Sequence, residues 1–84
     1  MKIEVTNDAD EDLARMDRSN REKFIKHMRK IATIPPTRHF KDHYVEQVGD
    51  GRIIYQIDFE NDCIYILRCF GRHKDYDKWC DSFR

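Results

Sequence analysis

Three groups of side chains in this sequence have the types and spacing to do chemistry. Arg52 directly follows the Gly49-Asp50-Gly51 turn and opens the apolar stretch Arg52 to Phe59. A guanidinium held at a strand start presents a planar fork of donors that suits a phosphate. The segment Gly71-Arg72-His73-Lys74-Asp75-Tyr76 gathers an imidazole, two cations, a carboxylate and a phenol. Of these, only the imidazole changes charge near neutral pH unaided, which makes His73 the natural acid or base. His39 and His43 flank Lys41 in a polar stretch. Each group also has a plainer reading: a surface strand charge for Arg52, a helix start for Lys74 and Asp75, and solvated loop residues for His39 and His43. His27, in mid-helix among cations, reads as surface. Together a His, an Arg and aromatic rings suit cleavage of RNA. A ribose 2′-OH attacks the adjacent phosphate, a base takes its proton, cations stabilise the developing charge, and an acid protonates the leaving 5′ oxygen. An aromatic ring supplies a platform for one base.

No Gly-rich phosphate loop, HExxH pair or GxSxG elbow is present. Cys69 and His73 are four residues apart, but one pair does not make a zinc site. Neither a metal nor another cofactor is therefore expected. Cys63, Cys69 and Cys80 are an odd number without a CxxC pattern or an apolar leader, which favours free thiols in a reducing cytoplasm over a disulfide framework.

The elements that must hold these groups belong to a short chain. Its 84 residues are expected to form one domain, residues 1–84, burying ~60% or slightly more of the unfolded surface. A site on an open face, or one completed by a partner, fits this size better than a deep cavity. Apolar residues make up 39% and charged residues 38%, and no run is long enough to span a membrane. Lys plus Arg and Asp plus Glu are 16 each, a formal net charge of zero. A generic nucleic-acid binder is usually basic. The charge is uneven, with acids from Asp8 to Asp17 and a mostly basic run from Arg18 to Lys30.

The apolar periodicity predicts a strand over Lys2–Thr6 and a helix capped by Asn7 or Asp8, with Ala9, Leu13 and Met16 as its stripe. The helix ends near Asp17. Ser19 and Glu22 form a capping-box pattern for a second helix, whose Phe24, Ile25, Met28, Ile31 and Ala32 share one face. Pro35-Pro36 ends this αα-hairpin. Strands follow over Tyr44–Val48, Arg52–Phe59 and Cys63–Phe70, joined by tight turns. Tyr76, Trp79, Cys80 and Phe83 have the spacing of a short closing helix. The first strand is expected beside this meander.

The order and spacing of three pieces resemble the RelE/ParE toxin superfamily of toxin–antitoxin systems across nearly the whole chain: Gly51-Arg52-Ile53-Ile54-Tyr55-Gln56-Ile57-Asp58, Ile64-Tyr65-Ile66-Leu67-Arg68, and Gly71 to Tyr76. The helical hairpin and Arg38-His39-Phe40-Lys41 fit the same plan. The resemblance implies an α+β fold, with an N-terminal strand and αα-hairpin packed on a mostly antiparallel four-stranded sheet and a short C-terminal helix. It implies a cytoplasmic toxin, bound as a hetero-oligomer by an antitoxin that wraps it. The RelE branch cleaves mRNA in the ribosomal A site without metal, whereas the ParE branch poisons DNA gyrase. Arg52 matches the strand Arg that contacts the scissile phosphate in RelE-like enzymes. His73 lies where RelE-like members carry Arg and the related YafQ and HigB groups carry His. Trp79 falls near the place of a C-terminal Tyr that acts on the nucleotide, with Tyr76 a nearer aromatic alternative.

The chain also departs from the pattern. Val45 and Gln47 stand where RelE-like members carry two basic residues. Glu46, between them and on the opposite strand face, is a candidate general base. Expected catalytic residues are thus Arg52, His73, Glu46 and Tyr76; expected substrate contacts are Lys41, His43, Gln47, Arg72, Lys74 and Trp79. Ribosome-binding members are typically basic and this chain is not. The leading expectation is a ribosome-dependent mRNA endonuclease. A ParE-like gyrase inhibitor, or a catalytically weak toxin fold acting through antitoxin binding, is the alternative.

Overall fold

The computed structural model describes residues 1–33 and 43–82, and the backbone of 39–40. Its elements in chain order are β1 (Lys2–Val5), α1 (Asn7–Ala14), α2 (Arg18–Ile31), β2 (His39–Phe40), β3 (His43–Val48), β4 (Gly51–Asp58), β5 (Cys63–Phe70) and α3 (His73–Asp81). The sheet order is β1-β5-β4-β3-β2. β1 runs parallel to β5, and the other pairs are antiparallel. The expected α+β architecture is present, with the two-residue β2 as an addition to the four anticipated strands. Among the described residues, no helix is long and apolar enough to cross a membrane.

Both helix starts differ from the sequence expectation, because several residues nearby have capping side chains. Thr6 caps α1: its hydroxyl accepts from Ala9 N at 3.2 Å and donates to Leu67 O at 3.0 Å. One side chain thus caps the helix and ties it to β5. Asp17, not Ser19, caps α2, accepting from Asn20 N at 2.7 Å. At the junction of α1 and α2, Arg21 donates to Leu13 O and Met16 O, each at 3.0 Å.

The sheet is covered on two sides. Ala9, Leu13, Phe24, Met28 and Ile31 from the hairpin pack on Val48, Ile53, Tyr55, Ile64, Ile66 and Cys69. On the opposite face, Val45, Ile54 and Phe70 pack with Leu67, Tyr76 and Trp79. This explains why β4 and β5 read as near-continuous apolar runs and not as clean alternation: both of their faces are buried. Ile25, expected in the α2 stripe, is exposed instead. Gly51 marks the tightest approach. A Cβ there would lie 2.5 Å from Phe70 O and 2.6 Å from Phe24 Cζ, so even alanine forces backbone to move.

Asp12 joins α1 to the far end of β5. It is 7% exposed, and it accepts from Arg68 Nε at 2.7 Å, Arg68 Nη2 at 3.0 Å and Cys69 N at 3.0 Å. The Arg68 guanidinium also lies 4.8 Å from the centre of the Phe70 ring. Burial raises the Cys69 thiol to about 12, with the nearby Asp12 charge adding to the shift, so this sulfur stays protonated and inert.

Two stability outcomes follow from these contacts. Asp12→Ala strands a cation and a buried N–H, and should lower the unfolding free energy by ~2–3 kcal/mol, less than a fully buried pair because Arg68 is partly exposed. Urea titration followed by circular dichroism checks this, and a midpoint equal to that of the wild type contradicts it. Ending the chain at Tyr76 removes Trp79 from the second core and, with it, the buried Cys80. It should cost about 2–3 kcal/mol and increase binding of an apolar dye to the folded chain.

Candidate functional site

Strand register sets the site. Arg52 pairs with Gln47 on β3 and Phe70 on β5, so these three side chains form one row across the sheet. Alternation then places His43, Val45, Ile54 and Gln56 on the same face, under α3. A register shift between Ile54 and Tyr55 leaves Leu67 without a cross-strand partner on β4 and turns the end of β5.

Gly71 and Arg72 lead from β5 into α3. Arg72 occupies the N-cap position without a side-chain cap bond. That role is taken from outside the helix: Asp50, in the β3–β4 turn, accepts from His73 N at 3.4 Å. A carboxylate there also complements the helix dipole. The same turn carries Arg52, so one contact registers the imidazole against the guanidinium.

Tyr76, half-buried on α3, is near both. The Arg52 Cζ lies 5.9 Å from the Tyr76 ring centre, and the His73 ring centre is 6.0 Å from it. Arg52 Nη1 donates to Gly51 O at 2.7 Å, which holds the fork near the turn. His73 Nδ1 lies 3.3 Å from Asp77 Oδ2, with both side chains about half exposed. Burial, reinforced by a hydrogen bond to Cys80, pushes the Tyr76 phenol up to about 12 despite the opposing pull of Arg52. The phenol is therefore a neutral hydrogen-bonding group and a ring surface, not a base.

The ring row continues along the helix. Tyr76 and Trp79 are 6.5 Å apart at an interplanar angle of 28°. Trp79 also lies 5.7 Å from Phe70 and 5.9 Å from His43. His43 Nδ1 meets Gln56 Nε2 at 3.1 Å. Such ring pairs contribute roughly 0.5–1.5 kcal/mol each beyond burial, which holds α3 on the sheet.

Of the residues anticipated for the site, Arg52, His73, Tyr76, Trp79 and His43 lie along this one face, and Gln47 joins them in the Arg52 row. Gln47 bends back to Gly49 O at 3.3 Å. Arg72 and Lys74 are exposed beside the helix start, Arg72 pairing with Asp75 at 3.4 Å. Lys41 lies outside the described residues. Glu46 does not join the others. Strand alternation turns it toward α2, where it meets His27 Nδ1 at 3.0 Å and Lys30 Nζ at 3.5 Å. There it ties α2 to β3 and gives His27 a partner that its exposed-helix reading missed. Asp50 and Asp77 carried no motif in the sequence. The signal for Asp77 was its spacing of one helical turn from His73; Asp50, distant in sequence, had none.

No family model and no curated protein matches the sequence. Solved structures do. The isolated E. coli RelE toxin superposes with a TM-score of 0.72 at 14% identity, over 99% of this chain and 98% of that one. The chain has the RelE toxin fold. The RelBE2 toxin–antitoxin complex of Mycobacterium tuberculosis contributes a chain at TM-score 0.68 and 20% identity, covering 84% of this chain and 96% of that one. A YoeB/ParE toxin from Agrobacterium tumefaciens matches at TM-score 0.68 and 17% identity, over 83% and 96% respectively. Within this RelE fold, α3 and the exposed end of the meander carry the clustered titratable groups.

The raised phenols give an alkaline test. Tyr76 and Tyr55 both reach about 12 in the folded chain from an ordinary value of 10.0. The unfolded chain releases those protons first, so stability is full below pH 10 and falls as pH rises toward 12. In Tyr76→Phe the fall should be shallower, with the Tyr55 share remaining. Urea midpoints measured across pH 9–11.5, a window chosen around those values, check it; parallel curves for both proteins would refute the burial of Tyr76.

Proposed function

We propose that this chain is the toxin of a type II toxin–antitoxin system and acts as a ribosome-dependent mRNA endonuclease, with His73 as its proton carrier and Arg52 as its phosphate ligand. The observation that carries the reading is that the Arg52 guanidinium and the His73 imidazole both lie within 6.0 Å of the Tyr76 ring, on a fold that superposes on RelE over nearly its full length. Fold alone does not assign an activity; the site supplies the rest of the argument.

In the proposed step, the ribose 2′-oxygen attacks the neighbouring phosphorus while His73 takes its proton. The bond from phosphorus to the 5′ oxygen breaks, that oxygen takes a proton from solvent water as it leaves, and the His73 imidazolium returns its proton to solvent. The products are a 2′,3′-cyclic phosphate and a free 5′-hydroxyl. Arg52 bears the charge that grows on the non-bridging oxygens through two parallel hydrogen bonds. Tyr76 and Trp79 line the face on which a base would stack. Glu46, on the other side of the sheet and already bonded to His27 and Lys30, takes no part. An antitoxin is the proposed partner, since the RelBE2 relative is a toxin–antitoxin complex. The zero net charge favours a second reading, a ParE-like inhibitor of gyrase that needs no ribosome binding.

Primer extension on ribosome-bound mRNA separates the two. The wild-type chain should create new mRNA ends and leave DNA supercoiling unchanged. His73→Gln retains hydrogen bonding but not the titration, and should lose cleavage by a factor on the order of 10² or more. Arg52→Ala should abolish cleavage with stability within ~0.5 kcal/mol of wild type, and Arg52→Lys should stay impaired because a point charge lacks the fork. Unchanged cleavage by the Gln variant removes His73 from the role. Altered DNA topology without mRNA ends selects the gyrase reading.

A further inference from the structure

We infer that a cleft at the outer rim of β5 is a second phosphate subsite, which holds a phosphate of the RNA strand flanking the one that is cut. The inference rests on reading the chain as a ribonuclease and adds to that reading a site for the neighbouring stretch of substrate. The cleft has a volume of about 560 Å³ and lies between the α1–α2 junction, the end of β5 and the first turn of α3. Arg15 and Asn20 line one wall, Arg72 and Asp75 the other, with Arg68 and Gly71 on the strand between them. Three guanidinium groups thus line one volume in a chain whose formal net charge is zero. A guanidinium suits phosphate because its planar fork donates two parallel hydrogen bonds.

The donors still open in the cleft decide what it takes. Arg68 uses Nε and Nη2 on Asp12, which also accepts from Cys69 N. Those bonds raise the Arg68 pKa above its ordinary value, and its Nη1 has no hydrogen-bond partner among the described residues. Arg72 donates from Nε to Asp75 at 3.4 Å, which leaves both of its Nη groups. Arg15 comes no nearer than 3.8 Å to Glu11 and 3.9 Å to Asp12, too far for a hydrogen bond, so its fork is available too. The two carboxylates that line the cleft, Asp12 and Asp75, are each already bonded to one of its guanidinium groups. The main chain offers less: Leu67 O accepts from Thr6 and Cys69 N donates to Asp12, so this rim is poorly suited to adding a peptide strand. Side-chain donors favour an oxyanion instead. A Cβ at Gly71 would lie 3.3 Å from Asn20 Nδ2, so glycine there lets a further donor sit close against the strand. The first turn of α3 joins the two sites. Arg72 and Asp75 line the cleft, while His73 and Tyr76 belong to the candidate site, and a strand held at Arg52 and His73 passes this turn.

The test uses the full-length chain on ribosomes carrying mRNA in which one linkage at a time beside the cut is a neutral methylphosphonate. For wild type, one such linkage should raise KM about tenfold, the low end for hydrogen bonds to a charged group, with a smaller effect on kcat. Arg15→Gln, an exposed change, should keep the thermal midpoint. It should raise KM by a similar factor on natural mRNA and lose its response to that linkage, because the two changes remove one interaction. Lys26→Gln, which alters an exposed charge of α2 outside the cleft, should keep the full response. A wild-type KM for Arg15→Gln, or an undiminished response to every linkage, overturns the inference while the ribonuclease reading stands. Titration with inorganic phosphate, followed by ¹⁵N NMR of the Arg15, Arg68 and Arg72 Nε–H groups, tests the cleft without cleavage. These signals should move in wild type and less in Arg15→Gln. Signals that ignore phosphate overturn the site, whether or not an acidic peptide moves them. Signals that move in a chain that cuts no mRNA overturn the RNA occupant together with the ribonuclease reading.

Discussion

Asp12 is the charged residue that the fold buries among the described residues, and the far half of β5 depends on it. β1 stops pairing with β5 at Ile66. Past that point Thr6 still reaches Leu67 O, but among the described residues no strand pairs with the outer edge of β5, and the register against β4 shifts. The carboxylate of Asp12 takes over, receiving two hydrogen bonds from Arg68 and one from Cys69 N. A buried carboxylate is tolerable only when its acceptor capacity is so filled. The same stretch of β5 delivers Phe70, Gly71 and then His73. That ion pair therefore steadies the stretch of strand from which α3 starts.

The two faces of the sheet divide the tasks. The hairpin face is packed with large aliphatic and aromatic side chains, and a charge cross-link, Glu46 with His27 and Lys30, binds α2 to β3. The α3 face has a smaller apolar core, and beside it lie the rings and titratable groups of the candidate site. In so small a chain, a deep pocket would remove too much of the core. A cluster on an open face, closed on one side by a short helix, keeps both. The helix is held by ring contacts and one turn-to-helix hydrogen bond, which is enough to register it without burying the imidazole.

The sequence by itself determined the order of elements, because apolar spacing is a direct consequence of burial. The strand Cys63–Phe70 and the closing helix with Tyr76, Trp79 and Cys80 were legible in this way, as was the resemblance to RelE toxins in Arg52 and the Gly71–Tyr76 segment. Helix starts were not legible, since Thr6, Asn7, Asp8, Asp17 and Ser19 all have capping side chains and tertiary contacts choose among them; Thr6 wins because its hydroxyl also reaches Leu67. Asp12 looked like one more solvated acid in an acidic run until β5 supplied its partners. Glu46 showed its face by alternation but not its neighbours. Asp50 and Asp77 became meaningful only when a turn and a helix met around His73. Local periodicity fixes which side chains turn inward, whereas the pairing of charges distant in the chain depends on how the elements dock, and only the tertiary structure decided that.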